Sequence, residues 1–235
     1  MDRYIASLIR HIKQVGAIQI VAEPDKGFTF KHHEKDPAAP LSPIKFHLCT
    51  PNARPEGRLS PADVDTMANA MVDVVLKRDI RFRGIAGLPN AGYPIAKAMA
   101  AEAYERGIHD VEVLRLQKLT EGGRRLIGPI TRRGSLLPHD TVLVVDDLVF
   151  AATTKEEGLE QVRREFHTPC VVVFFDYEVG AREALRKLNA ELLCVATVSE
   201  ALDVLHGCGD ITTEQYERCR HFIETERARR LPVAV

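Results

Sequence analysis

The chain has 235 residues, 45% of them hydrophobic and 28% charged, with 32 lysines and arginines against 33 aspartates and glutamates. That length suits one main core with an accessory segment, and the near-neutral balance offers neither the basic field of a nucleic-acid binder nor the long apolar run of a membrane span. The five cysteines are odd in number and widely spaced, with no C-x-x-C pair to suggest zinc or dithiol exchange, which fits a reducing cytoplasm.

At the amino terminus, "MDRYIASLIRHIKQVG" carries charges throughout and reads as a helix start, not as a signal peptide. Short β-like pieces follow, "AIQIVA", "FTFKHH" and "IKFHL", interrupted by the loop "EKDPAAPLSP". Residues 1–50 are expected to form a small hood, and residues 51–235 the main domain. Ser60-Pro61-Ala62-Asp63 combines a capping serine with proline at the first helical position, and Val64, Met67, Met71 and Val74 share one face of the helix it opens.

From about residue 80, apolar runs alternate with helical segments. The runs are "RGIAGL" (83–88), "VEVLRL" (111–116), "TVLVVD" (141–146), "CVVVFF" (170–175) and "ELLCVATV" (191–198). Between them, "YPIAKAMAAEAYERG", "TKEEGLEQVRREF" and "AREALRKL" have helical length and period. This is the βαβ rhythm of an α/β protein with a parallel sheet buried on both faces. The tail "TTEQYERCRHFIETERARR" reads as a charged, solvated helix.

One constellation carries chemistry. In an open parallel sheet, ligands gather beyond the carboxyl ends of the strands. Asp146 and Asp147 fall at such an end, and Thr153 to Glu156 and Thr154 to Glu157 are two overlapping capping-box spacings that place a helix start there. Free N–H groups and the helix dipole favour a phosphate at that start, while the carboxylates can accept hydrogen bonds from sugar hydroxyls or steady a cation. A strand end that caps a turn explains the spacing equally well, so spacing alone leaves both readings open.

The stretch "VLVVDDLVFAATT" resembles the phosphoribosyl pyrophosphate (PRPP) motif of type I phosphoribosyltransferases, and the resemblance runs from about residue 40 to 225, toward orotate phosphoribosyltransferase. "GIAGLPNAGYPIAKAMA" is similar to that family's pyrophosphate loop and following helix, "EGGRRLIG" to part of its mobile catalytic loop, and "VVVFFDYEVGAREAL" to its late strand and acidic turn. The resemblance implies an α/β fold with a type I phosphoribosyltransferase-like parallel sheet flanked by helices, a homodimer, and transfer of ribose 5-phosphate from PRPP to a nitrogenous base. It implies Mg2+ bound mainly through PRPP, with no protein metal site. Asp146 and Asp147 would then hold the ribose, Ala151, Ala152, Thr153 and Thr154 the 5-phosphate, and Asn90, Ala91 and Gly92 the pyrophosphate. Lys118, Arg124 and Arg125 would be catalytic on the mobile loop, with Lys31 and Tyr177 at the base.

The chain also departs from the family pattern. Phe150, Ala151 and Ala152 stand where the family places threonine and glycine, and a positive φ at Ala152 would be strained. The segment 115–133 keeps basic charge but no histidine, Ala91 stands where some members have lysine, and Tyr177 replaces an arginine that holds orotate's carboxylate. His32 and His33 lack the accompanying ligands of a metal site. A non-catalytic PRPP or nucleotide binder, a sensor or an assembly subunit, stays open as the rival. A dinucleotide-binding protein would need G-x-G-x-x-G, which "GLPNAG" lacks.

Overall fold

A computed structural model describes residues 1–23, 25–30, 33, 36–122, 124–132 and 134–231, with the backbone alone at positions 121, 124, 125 and 132. Six strands form the main sheet: β3 (Gly84–Gly87), β4 (Glu112–Glu121), β5 (Arg124–Arg132), β6 (Val142–Val149), β7 (Cys170–Asp176) and β8 (Glu191–Thr197). Their order is β5-β4-β3-β6-β7-β8, and every pairing is parallel except β4 with β5. The α/β class follows from the apolar runs, since strands flanked by crossover helices must bury both faces.

Alternation along the strands divides the core. Leu143, Val145, Val172 and Phe174 face one cluster, shared with α2 (Pro61–Leu76) and α3 (Gly92–Glu105), while Val142, Val144, Val171 and Val173 face another with α4 (Thr153–Arg163) and α5 (Ala181–Lys187). Ser60 and Asp63 complete the expected capping box on α2, and Val64, Met67 and Met71 are buried; Val74 is only partly so. The amino-terminal helix α1 (Arg3–Gln14) sends Leu8, Ile9 and Ile12 into the first cluster, and β1 (Ile18–Ile20) pairs antiparallel with β2 (Ile44–Phe46). In "FTFKHH" the one pairing is an isolated bridge, Phe28 to Ser42.

Three expectations need correction. The segment 115–133, read as a loop, falls largely in the β4–β5 hairpin, where Leu116 pairs with Ile130 and Lys118 with Ile127, and Leu116, Ile127 and Ile130 are buried. The carboxyl-terminal helix α7 (Thr213–Arg230), which follows α6 (Val198–Gly207), is docked and not merely solvated: Cys219, Phe222, Ile223 and Glu226 are buried. Finally, α4 begins after Ala152 with no side-chain cap. The carboxylate of Glu157 instead accepts the Ile127 N–H at 3.3 Å, which ties α4 to the hairpin. No helix among the described residues is long and apolar enough to cross a membrane.

Candidate active site

The strand order turns at β3, which pairs with β4 on one side and β6 on the other. Crevices open beyond the carboxyl ends of strands at such a point, because the two following connections leave in opposite directions. Here they are the loop from β3 into α3 and the short 150–152 turn from the end of β6 into α4. The Leu88 N–H donates to the Val145 carbonyl at 2.9 Å, and adjacent strands lie about 4.8 Å apart, so the two loops are neighbours.

Close approach here depends on glycine. A Cβ at Gly92 would collide with the Val145 carbonyl oxygen and lie 3.2 Å from Asp146 Oδ1, and one at Gly87 would stand 2.5 Å from the Gly92 carbonyl oxygen. The start of α3 is thus pressed against Asp146. Beside it lies a cavity of about 700 Å³ lined by Asn52, Asn90, Tyr93, Arg115, Lys118 and Thr131, among others. Arg115 stands over the Tyr93 ring at 5.4 Å, and Thr131 Oγ1 donates to the Arg115 carbonyl at 3.0 Å. The hairpin, not a loop, carries the cations to this cavity.

Asp146 and Asp147 are both largely buried. Lys155, from the first turn of α4, places Nζ 2.7 Å from Asp146 Oδ2, and both side chains are under a tenth exposed. Burial raises Asp147 to about 7, the charge of Asp146 adds to that, and Lys155 and Arg54 oppose it. The same Arg54 opposes the burial that pushes the Cys49 thiol up to about 11. Two carboxylates and one ammonium are therefore grouped here, within reach of the charge of Arg54.

The phosphate turn tolerates alanine: Ala152 has φ −70° and ψ −16°, ordinary right-handed backbone, so no glycine is required there. Ala151 and Thr154 are partly buried at the start of α4, whereas Thr153 is exposed and contributes to a separate hollow beside Glu156 and Arg163. Phe150 turns into an aromatic cluster with Phe30 at 4.9 Å, Tyr177 at 5.0 Å and Phe222 at 6.2 Å, and Arg230 stacks on it at 5.0 Å.

Tyr177 needs correction as a base contact. It is 1% exposed, and its hydroxyl donates to the Ile44 carbonyl at 3.3 Å, so the ring is a core element between the hood and the sheet. Asp176, before it, is raised by burial and ion-paired with Arg182 at 3.3 Å. Among the other expected residues, Asn90 and Lys118 line the cavity, while Ala91 and Gly92 are buried at the start of α3. Arg124 and Arg125 open β5, but their side chains lie outside the described residues, as does Lys31 altogether.

Sequence reasoning missed Asn52, Arg54, Tyr93, Arg115 and Lys155 as site residues. Lys155 had left a signal, a lysine in the first turn of a helix where acids are favoured. Arg54 had left none, because it lies far away in sequence. Among the described residues no group of three or more His, Cys, Asp or Glu side chains could hold a metal ion.

No protein-family model matches the chain. Uridine 5'-monophosphate synthase of Bos taurus is 27% identical over 167 residues, covering 70% of this chain and 32% of that protein. Orotate phosphoribosyltransferase of Caenorhabditis elegans is 28% identical over 160 residues, covering 66% of this chain and 65% of that protein. The chain thus spans about a third of the bovine relative and about two thirds of the nematode one. Among solved structures, Leishmania donovani UMP synthase superposes with a TM-score of 0.71 at 24% identity, over 94% of this chain and 42% of that one.

The chain is thus similar in sequence to orotate phosphoribosyltransferases and uridine 5'-monophosphate synthases and shares their fold. The paired acids, the glycine at the start of α3 and the helix start after the acids are the features on which the sequence resemblance rested. The chain differs in two ways that matter chemically. Phe150 is drawn into the aromatic cluster, and Asp146 is held by an internal lysine.

Proposed function

We propose that the chain transfers the ribose 5-phosphate group of PRPP to a nitrogenous base, with release of pyrophosphate. The observation that carries this reading is the Asp146–Asp147 pair at the sheet's turning point, with Asp146 pressed against the start of α3 at Gly92 and a cavity bearing Arg115 and Lys118 beside it. In the reaction a base nitrogen forms a bond to the anomeric carbon as the carbon–oxygen bond to pyrophosphate breaks. The carbon gains positive character and the leaving group gathers negative charge.

The residues divide accordingly. The acidic pair supplies carboxylate acceptance for the ribose hydroxyls, and its negative charge favours positive character developing nearby. The N–H groups of Ala151 to Thr154 and the dipole of α4 hold the 5-phosphate. Asn90 and the cations of the hairpin take the leaving pyrophosphate, which is electrostatic stabilisation by groups already in place. Bound through the substrate's own oxygens, Mg2+ would offset phosphate charge. Holding the reactants in line supplies much of the remaining acceleration.

The reading is orotate-type in fold, in a cytoplasmic homodimer of nucleotide metabolism, with pyrimidine synthesis as its setting. The base itself is unassigned, since no arginine follows Asp176 to meet a carboxylate. Calorimetric titration with PRPP and Mg2+, followed by pyrophosphate release against a panel of bases, tests it. Binding with turnover on one base is expected. Binding without turnover on any base would favour the non-catalytic rival.

A further inference from the structure

Lys155 stands where a cation is least expected. It is the third residue of α4, and the positive end of the helix dipole disfavours an ammonium there. It is also 6% exposed, and a buried ammonium persists only against a counter-charge. That counter-charge is Asp146. Its Oδ2 accepts from Lys155 at 2.7 Å and its Oδ1 from the Asp147 N–H at 3.0 Å, while Gly92 closes the space beside Oδ1. Both oxygens of Asp146 are engaged within the protein.

Asp147 is placed differently. Its Oδ1 accepts the Leu148 N–H at 2.8 Å, its Oδ2 accepts no hydrogen bond among the described residues, and the charges of Arg54 and Lys155 reach it. Adjacent residues of a strand point to opposite faces, so the two acids cannot be equivalent.

We propose that Lys155 locks Asp146 in place as a positioning pair, so that Asp147 alone accepts the ribose hydroxyls. The pair joins β6 to the first turn of α4 across nine residues, and so fixes the short 150–152 turn that leads into the helix start proposed to hold the phosphate. Lys155 therefore acts on the ligand through the turn and touches no substrate atom. The inference rests on the proposed function and deepens it.

The test uses the full chain with two probes, ribose 5-phosphate and inorganic phosphate, titrated calorimetrically. The readout is the preference for the first over the second, in which any general loosening of the turn cancels. Asp147→Asn is expected to cut that preference about 30-fold, the loss of a hydrogen bond to a charged group. The double variant Asp146→Asn/Lys155→Gln replaces the ion pair with neutral, hydrogen-bonding side chains and is expected to keep the preference within about 3-fold. A double variant that loses the preference as fully as Asp147→Asn would overturn the proposal alone, because Asp146 would then be a ribose acceptor. Failure of the unmodified chain to prefer ribose 5-phosphate would overturn the site reading and the proposal with it.

Discussion

At the scale of the residue, Asp147 links charge, stability and binding. Its folded-state pKa, raised to about 7 by burial and by Asp146, lies above the ordinary carboxylate value, so the folded chain holds a proton that the unfolded chain has released. Stability contributed by this group is therefore present at low pH and declines as pH rises from about 4 to about 7. Melting curves should show the unmodified chain losing stability across that window relative to Asp147→Asn; parallel curves would contradict the assignment. Ligand binding runs the other way, since the ionised carboxylate is the better acceptor. Ribose 5-phosphate affinity should rise through about pH 7 in the unmodified chain, more steeply than in Asp147→Asn, where only the phosphate titrates.

Gly92 is the other residue on which the site turns. A methyl group there meets the Val145 carbonyl and the Asp146 carboxylate, backbone and a held side chain that cannot move aside. Gly92→Ala should destabilise the chain by about 2 kcal/mol and lower PRPP affinity, as followed by denaturant unfolding and calorimetry. An unchanged midpoint would show that the start of α3 is not pressed against Asp146.

At the scale of the element, the hairpin and α7 show where the sequence misleads. The segment "RLQKLTEGGRRLIGPITRR" is dense in charge, yet Leu116, Ile127 and Ile130 are buried, and a register shift on either side of Leu116 breaks the period of two that would have marked a strand. Charge and the broken period together hid the strand. In α7 the apolar face is short and its most buried polar group is Glu226, fully enclosed and paired with Arg229 and Arg230. Docked helices usually announce themselves by an apolar stripe, and this one is held partly by an internal ion network that no hydrophobic period reveals.

The consequence is that α7 supports the phosphate turn from behind, through Phe222 and Arg230 against Phe150. Phe222→Ala should cost about 3 kcal/mol in chemical denaturation, because a large buried ring leaves a cavity in a packed cluster. A cost below about 0.5 kcal/mol, the range of ordinary surface changes, would return α7 to the solvated helix of the first reading.

At the scale of the whole molecule, the order of strands and helices was legible because each element carries its own period, and alternation of the two periods admits few architectures. The paired acids were legible for the same reason, as polar residues at the end of an apolar run. What the sequence concealed were relations between distant segments: the charge of Arg54 acting on Asp147, Tyr93 beneath Arg115, and Phe30 against Phe150. Local pattern has no access to these. The expected strain at Ala152 dissolved for a related reason, since the turn takes a right-handed path that any residue follows. Thus the position of the candidate site was readable, while the Lys155–Asp146 ion pair and the burial of Tyr177 emerge only with the folded chain.

The central claim, a PRPP site that performs transfer, is met most directly by one assay. Pyrophosphate release from PRPP and Mg2+ would be followed in the presence of each of a panel of nucleobases, with the unmodified chain and Asp147→Asn side by side. The account predicts release with one base, matched mole for mole by nucleotide and reduced about 100-fold in the variant, as expected when a charged acceptor in a buried site is removed. No release with any base, or equal release from both proteins, would contradict it.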